Sequence, residues 1–112
     1  MAILKVSRLG HPVLRRVMQP LSLEQLRSAP MQRLIDDMIE TMKEYDGVGL
    51  AADQVHESQQ IAVLEVADNP RYPDKPKVPL TVLVNPRVTP LGEEMEEDWE
   101  GCLSIPDLRC RV

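Results

Sequence analysis

The strongest structural signal in the sequence is an apolar stripe with helical spacing in the first half of the chain. Apolar residues recur every three or four positions between Met31 and Tyr45, with charged residues between them. That spacing places the apolar side chains on one face of an α-helix. Pro30 suits the first turn, and Asp46-Gly47 ends the helix. The sequence therefore predicts one long helix, and we interpret its methionines as core rather than as a partner groove.

Short apolar runs after this helix predict strands. Residues 61–66 and 78–85 are rich in branched residues, and the proline-rich segment between them predicts a surface loop. The acidic run 93–100 predicts an edge strand with Met95 and Trp99 facing inward, and residues 109–112 predict the start of another strand. One helix followed by several strands indicates an α+β fold with a mainly antiparallel sheet. We expect residues 1–112 to form a single domain.

Charge and composition exclude several classes of protein. The net charge is -5 and the basic residues are scattered, which argues against a specific nucleic-acid site. No run approaches the roughly 20 apolar residues that span a bilayer. We expect a soluble chain of the bacterial cytoplasm, with an organelle as the alternative. Without an export signal, the two cysteines, Cys102 and Cys110, favour free thiols or one metal-bound thiolate over a disulfide.

The segment Glu100-Gly101-Cys102-Leu103-Ser104 offers a thiol, whose thiolate is both a nucleophile and a soft metal ligand. A nucleophile needs an activating histidine, and His11 and His56 are the only candidates. His11 precedes a proline in a predicted turn, which is more typical of a structural histidine. A metal site needs further ligands, and a small buried hydrophobe is the third interpretation. The residues alone leave all three open.

A second segment, Gly47-Val48-Gly49-Leu50-Ala51-Ala52-Asp53-Gln54, follows the predicted helix. It lacks the third glycine of a dinucleotide fingerprint and the Gly-Lys ending of a phosphate loop. The amide of Gln54 can donate to a developing oxyanion, although a structural amide is the more common role.

Together the two segments resemble the first two signature motifs of the peptide deformylases, and Gly-His-Pro-Val-Leu-Arg at residues 10–15 resembles the N-terminus of that family. The resemblance implies removal of the formyl group from the N-terminal methionine of nascent polypeptides. The family's third motif is a helical H-E-x-x-H with two metal-binding histidines, and this sequence contains no such motif. We therefore expect a C-terminally incomplete chain, truncated before the metal-binding helix.

The resemblance also implies site residues. Gln54 and the backbone amide of Leu103 are expected to hold the oxyanion. Gly49 is expected to bind the substrate backbone, and Val48 and Glu100 are expected to shape the methionine pocket.

By the same resemblance, Cys102 is one of three ligands of a divalent metal. Fe²⁺ is expected, with Zn²⁺, Ni²⁺ or Co²⁺ as substitutes, and two further histidine ligands have no counterpart in this sequence. Asp53 departs mildly from the proline or asparagine usual at that point of the motif.

One thiolate does not hold a catalytic metal, so we expect the 112-residue chain alone to lack appreciable deformylase activity. The expected partners are N-formylmethionyl peptides, with the ribosome as a candidate meeting place. The absent helix should leave an apolar face exposed, which favours self-association. Two alternatives remain: a catalytically degenerate homologue that acts as a binding module, and a cysteine-dependent enzyme that uses Cys102.

Overall fold

The computed structural model describes residues 1–112 and has an α+β fold, as predicted. In chain order its elements are a 3-10 helix at Pro12–Arg15, α1 at Leu23–Arg27, α2 at Ala29–Glu44, β1 at Gly49–Ala51, a 3-10 helix at Ala52–Val55, β2 at Ile61–Val66, β3 at Val78–Val84, β4 at Trp99–Cys102 and β5 at Ile105–Arg111. None of these helices has the length and apolar character needed to cross a membrane.

The predicted long helix is α2. The Ser28 side chain caps it by accepting a hydrogen bond from the amide of Met31 at 3.4 Å. The shorter α1 was not predicted. Its start is a capping box: the Ser22 hydroxyl accepts from the Gln25 amide at 3.1 Å, and the Gln25 side chain accepts from the Ser22 amide at 2.9 Å. Since α1 buries no side chain, it leaves no apolar stripe in the sequence.

The strands form two antiparallel sheets. In the first, β2 lies between β1 and β3, with Val63 opposite both Leu50 and Val82. In the second, β4 pairs only with β5 and forms a hairpin. The predicted strands at 61–66 and 78–85 are confirmed as β2 and β3, and the strand expected from residue 109 begins earlier, at Ile105.

The core lies between α2 and the first sheet. Met38 and Met42 are 0 % and 1 % exposed, so the methionine stripe is core, as interpreted from the sequence. Thr41 is also fully buried, and its hydroxyl accepts from the Leu4 amide at 2.8 Å and donates to the Asp37 carbonyl at 2.6 Å. The bond from Leu4 attaches the N-terminal segment to α2, and the bond to Asp37 lies within the helix.

The prediction of an inward-facing edge strand at residues 93–100 was wrong. Only Trp99 and Glu100 belong to a strand, and Met95 and Trp99 are 98 % and 55 % exposed. The glutamates of this run repel one another, and burying their charges would cost free energy. The only strand that pairs with β4 is β5.

The strand β3 carries apolar side chains that are only partly covered. Leu80, Val82 and Leu83 all count among the exposed large hydrophobic residues. Because side chains alternate along a strand, Leu80 and Val82 lie on one face of β3 and Leu83 on the other, so the exposed apolar face expected from the sequence stays a prediction. Self-association through it stays a prediction.

Candidate active site where two motifs meet

The side chain of Gln54 joins the two motifs recognised in the sequence. Gln54 lies in the 3-10 helix that follows β1, and its Oε1 accepts a hydrogen bond from the Ala51 amide at 2.9 Å. That bond orients the amide so that Nε2 faces the hairpin. Nε2 donates to the hydroxyl of Ser104 at 3.0 Å and to Sγ of Cys102 at 3.5 Å. An amide donor and a thiol from distant parts of the chain are thus in direct contact.

The turn of the β4–β5 hairpin holds the second motif. Cys102 pairs with Ile105 across the turn, which leaves Leu103 and Ser104 at its tip. Cys102 is a free, exposed cysteine, and Ser104 is 4 % exposed. The backbone N–H of Leu103 has no hydrogen-bond partner in the protein. This N–H is available to a ligand.

A close contact between Gly47 and Leu103 also holds the two motifs together. A Cβ on Gly47 would lie 2.8 Å from Cδ1 of Leu103, closer than real Cβ contacts, so alanine here would require the Leu103 side chain to shift. Gly49 differs, because a Cβ there would meet only the Val63 carbonyl at an ordinary 3.8 Å. A side chain would therefore be crowded at the first glycine of the motif and not at the second.

The N-terminal segment ties the two motifs together from another side. The amide and the hydroxyl of Ser7 both donate to the carbonyl of Gln54, at 2.7 and 3.1 Å. The amide of Leu9 donates to the carbonyl of Ser104 at 2.9 Å. Sequence reasoning missed Ser7 and the part played by Ser104, because these bonds join residues far apart in the chain.

A cavity of about 620 Å³ opens beside the hairpin turn. Its lining comes from four regions and comprises Val6, Arg8, Tyr45, Asp46, Arg71, Cys102, Leu103, Pro106, Asp107, Leu108 and Arg109. Of the predicted site residues, only Cys102 and Leu103 line this cavity.

The other predicted site residues do not line this cavity. Val48 is half-buried, and its carbonyl accepts from the Glu65 amide at 3.0 Å. Gly49 is exposed at the start of β1, and Glu100 is exposed on β4.

The side chains of this chain do not complete a metal site. No group of three or more His, Cys, Asp and Glu residues lies close enough together to hold a metal ion. His11 and His56 pack edge to face, with ring centroids 4.8 Å apart. Nδ1 of His11 accepts from the Val13 amide at 3.1 Å and caps the first 3-10 helix, which is a structural role. Cys102 is therefore a single candidate ligand.

Comparison with known proteins identifies the family. The family model for polypeptide deformylase matches residues 3–112. The chain belongs to the polypeptide deformylase family. Peptide deformylase 1 of Bordetella pertussis is 49% identical over 104 residues, covering 93% of this chain and 58% of that protein. The peptide deformylase of Leptospira biflexa is 41% identical over 110 residues, covering 97% of this chain and 62% of the relative. The chain thus spans about three fifths of the length of these deformylases.

Solved deformylase structures share the fold. The class I type b peptide deformylase from Acinetobacter baumannii with Met-Ala-Ser bound gives a TM-score of 0.91 at 40% identity, covering 98% of this chain and 69% of that one. The peptide deformylase from Thermotoga maritima gives 0.80 at 33% identity, covering 98% and 66%. The α+β arrangement described above is therefore the arrangement of this part of the deformylase fold.

Proposed function

We propose that the protein acts in the removal of the formyl group from the N-terminal methionine of polypeptides, by hydrolysis of the formamide bond. The family membership supports this reaction. The observation that carries it in this chain is the contact of the Gln54 amide with Cys102 and Ser104 beside the unpaired N–H of Leu103.

Formamide hydrolysis develops negative charge on the formyl oxygen, and preorganised N–H donors stabilise that charge. We propose Gln54 and the Leu103 amide as these donors. The Leu103 N–H is free. The bond from Gln54 to Sγ of Cys102, at 3.5 Å, is the one Gln54 can exchange for an oxyanion, while its 3.0 Å bond to Ser104 keeps the amide in place.

The substrate backbone is proposed to add to β1. This strand pairs only with β2, so its other edge is open to an extended peptide, and exposed Gly49 lies at its start. Val48 precedes it and Glu100 lies on the facing hairpin. We assign these two residues to the pocket for the methionine side chain.

We also propose Cys102 as one ligand of a divalent metal, with Fe²⁺ expected. Catalytic metal sites usually have three protein ligands and an open fourth position, and the side chains of this chain supply one. The residues present do not fit a complete metal centre, so we assign no reaction step to a metal here. We propose that the 112-residue chain alone releases formate far more slowly than a deformylase with the full ligand set.

The experiment is calorimetric titration of the chain with formyl-Met-Ala-Ser and with unformylated Met-Ala-Ser. A hydrogen bond to the formyl oxygen should contribute about 1 kcal/mol, so the formylated peptide should bind about fivefold more tightly. Gln54→Ala should remove this preference. Gln32→Ala is the matched control, since Gln32 lies exposed on α2 and donates only to the Leu26 carbonyl. Equal affinity of the parent chain for both peptides would contradict the proposal.

The same samples distinguish a cysteine-dependent hydrolase from the other two readings when formate is assayed with formate dehydrogenase after addition of Fe²⁺. Binding of the formylated peptide without formate release is expected both for the binding module and for a deformylase chain with a single metal ligand. A cysteine-dependent hydrolase would instead release formate in the presence of a chelator and lose activity on alkylation of Cys102. The bacterial relatives favour the bacterial cytoplasm, with nascent chains at the ribosome as the substrate.

A further inference from the structure

The side chain of Ser7 is buried between two residues of the cavity wall. Val6 and Arg8, its neighbours in the chain, both line the cavity. Ser7 is 3 % exposed and does not line the cavity. Its hydroxyl bonds the 3-10 helix at Ala52–Val55, which carries Gln54. Any effect of Ser7 on a bound peptide therefore has to pass through another residue.

Ser7 supplies both hydrogen bonds that the Gln54 carbonyl accepts. The Ser7 amide donates to this carbonyl at 2.7 Å and the Ser7 hydroxyl at 3.1 Å. The same hydroxyl lies 3.5 Å from the carbonyl oxygen of Asp53. The last carbonyls of a helix lack partners within it, and here Ser7 satisfies the Gln54 carbonyl from outside the helix. One hydrogen bond would let this carbonyl turn, whereas two donors from one residue fix its direction.

These bonds belong to a closed ring that passes through both motifs. From Ser7 the ring runs to the Gln54 carbonyl and along that residue to Nε2, which donates to the Ser104 hydroxyl at 3.0 Å. The Ser104 carbonyl accepts from the Leu9 amide at 2.9 Å, and Leu9 lies two residues from Ser7 in the chain. Every link of the ring is a covalent bond or a hydrogen bond. Residues 7–9 therefore fix the position of Gln54 relative to the hairpin turn.

The two proposed oxyanion donors lie on this ring or next to it. Nε2 of Gln54 is part of the ring, and the Leu103 N–H belongs to the residue before Ser104. We propose that Ser7 is a positioning residue that sets the direction of the Gln54 amide relative to the Leu103 N–H. The inference rests on the proposed function, since it concerns the same two donors. Donors stabilise an oxyanion best when they already point at it, so a loosened Gln54 amide should lose part of its effect.

The test repeats the titrations with formyl-Met-Ala-Ser and Met-Ala-Ser on variants of Ser7. In the parent chain we expect the formylated peptide to bind about fivefold more tightly. Ser7→Ala removes the hydroxyl and keeps the amide, so this preference should fall below about twofold. The affinity for the unformylated peptide should stay unchanged, because Ser7 does not line the cavity.

Two further variants separate the hydroxyl from the space that it fills. Ser7→Thr keeps a hydroxyl and should retain the preference for the formylated peptide. Ser7→Cys is close to serine in volume, but its thiol is a weak donor, so the preference should fall as in Ser7→Ala. The cysteine variant carries the test if the alanine variant folds poorly.

Ser22→Ala is the matched control. It removes the same group from the capping box of α1, where the Ser22 hydroxyl accepts from the Gln25 amide at 3.1 Å, and neither residue lines the cavity. Both alanine variants should be less stable than the parent, and only Ser7→Ala should change the preference. NMR of the Gln54 side-chain amide adds a measurement that needs no peptide. Its protons should exchange with water faster in Ser7→Ala than in the parent or in Ser22→Ala.

Each outcome decides the inference. A preference that is lost in Ser7→Ala and kept in Ser7→Thr and Ser22→Ala supports it. An unchanged preference in Ser7→Ala and Ser7→Cys, or equal amide exchange in all variants, overturns it and leaves the proposed function intact. Loss of the preference in Ser22→Ala as well assigns the effect to lower stability and also overturns the inference. Equal affinity of the parent chain for both peptides overturns the inference and the proposed function together.

Discussion

Replacing Gly47 by alanine tests the contact that sets the distance between the two motifs. The new Cβ would lie 2.8 Å from Cδ1 and 3.3 Å from Cγ of Leu103, and 3.3 Å from the carbonyl oxygen of Met42. Carbon atoms pack best at about 3.5–4.0 Å, so Leu103 has to move. Leu103 packs against the buried core on one side and lines the cavity on the other, so this movement gives up part of its core contact.

The size of the effect follows from two opposing contributions. Crowding a packed site typically costs about 1–3 kcal/mol. Gly47 does not have a positive φ, so alanine is compatible with its backbone and contributes about 0.4–1 kcal/mol through the unfolded chain. We expect Gly47→Ala to lower the free energy of unfolding by about 1–2 kcal/mol, measured by urea unfolding.

A double-mutant cycle with Leu103→Ala tests the cause. That substitution removes Cγ and Cδ1, so Gly47→Ala should cost little in its presence, and the coupling energy should be about 1–2 kcal/mol. Gly49→Ala is the matched control in the same motif, with an expected change near zero, since its nearest atom is at 3.8 Å. Additivity of the two substitutions within about 0.5 kcal/mol would refute the steric reasoning.

Further predictions concern contacts outside the hairpin turn. The Asn85 side chain accepts a hydrogen bond from the Leu21 amide and donates one to the Leu21 carbonyl, each at 2.8 Å. Asn85→Ala should therefore lower the free energy of unfolding, measured in urea, by about 1–3 kcal/mol. A change below about 0.5 kcal/mol would contradict this. The hydrogen bond from Lys75 lowers the pKa of Asp98 below its usual 3.8, assisted by a backbone amide. A depressed carboxyl pKa stabilises the fold above pH 3.8 and ceases to do so as the pH falls through the lower folded value. The melting temperatures of Lys75→Met and the parent should therefore differ near neutral pH and converge in acid, and a constant difference would count against the pair.

Hydrophobic spacing is a local property, and the elements that depend on it were predictable. The stripe that includes Met38 and Met42 predicted α2, and the run containing Ile61 and Val63 predicted β2. The short α1 was missed because no apolar stripe marks it, although its Ser-x-x-Gln capping box was visible in the sequence. Trp99 was predicted to face inward because its side chain is apolar. The sequence does not show whether another part of the chain lies near enough to cover it, and the structure leaves it exposed.

The sequence predicted which residues form the candidate site but not how they are arranged in space. Motif resemblance supplied Gln54 and Cys102, and the structure brings these two side chains together. The bonds that hold their segments, from Ser7 and Leu9, join parts of the chain that only the tertiary fold makes neighbours. Neither residue type nor spacing marks such a partner in advance. The roles proposed for Val48, Gly49 and Glu100 remain predictions.

The attachment of the N-terminal segment has a consequence for how the protein folds. Ser7 bonds a residue 47 positions later, and Leu9 bonds Ser104 in the turn of the hairpin. Contacts between residues so far apart form late, since the loop entropy must be lost before the bonds are made. During synthesis the first nine residues emerge long before the hairpin they bind. The ribosome therefore has to release the chain through Ser104 before Gln54 and Cys102 acquire the arrangement described above.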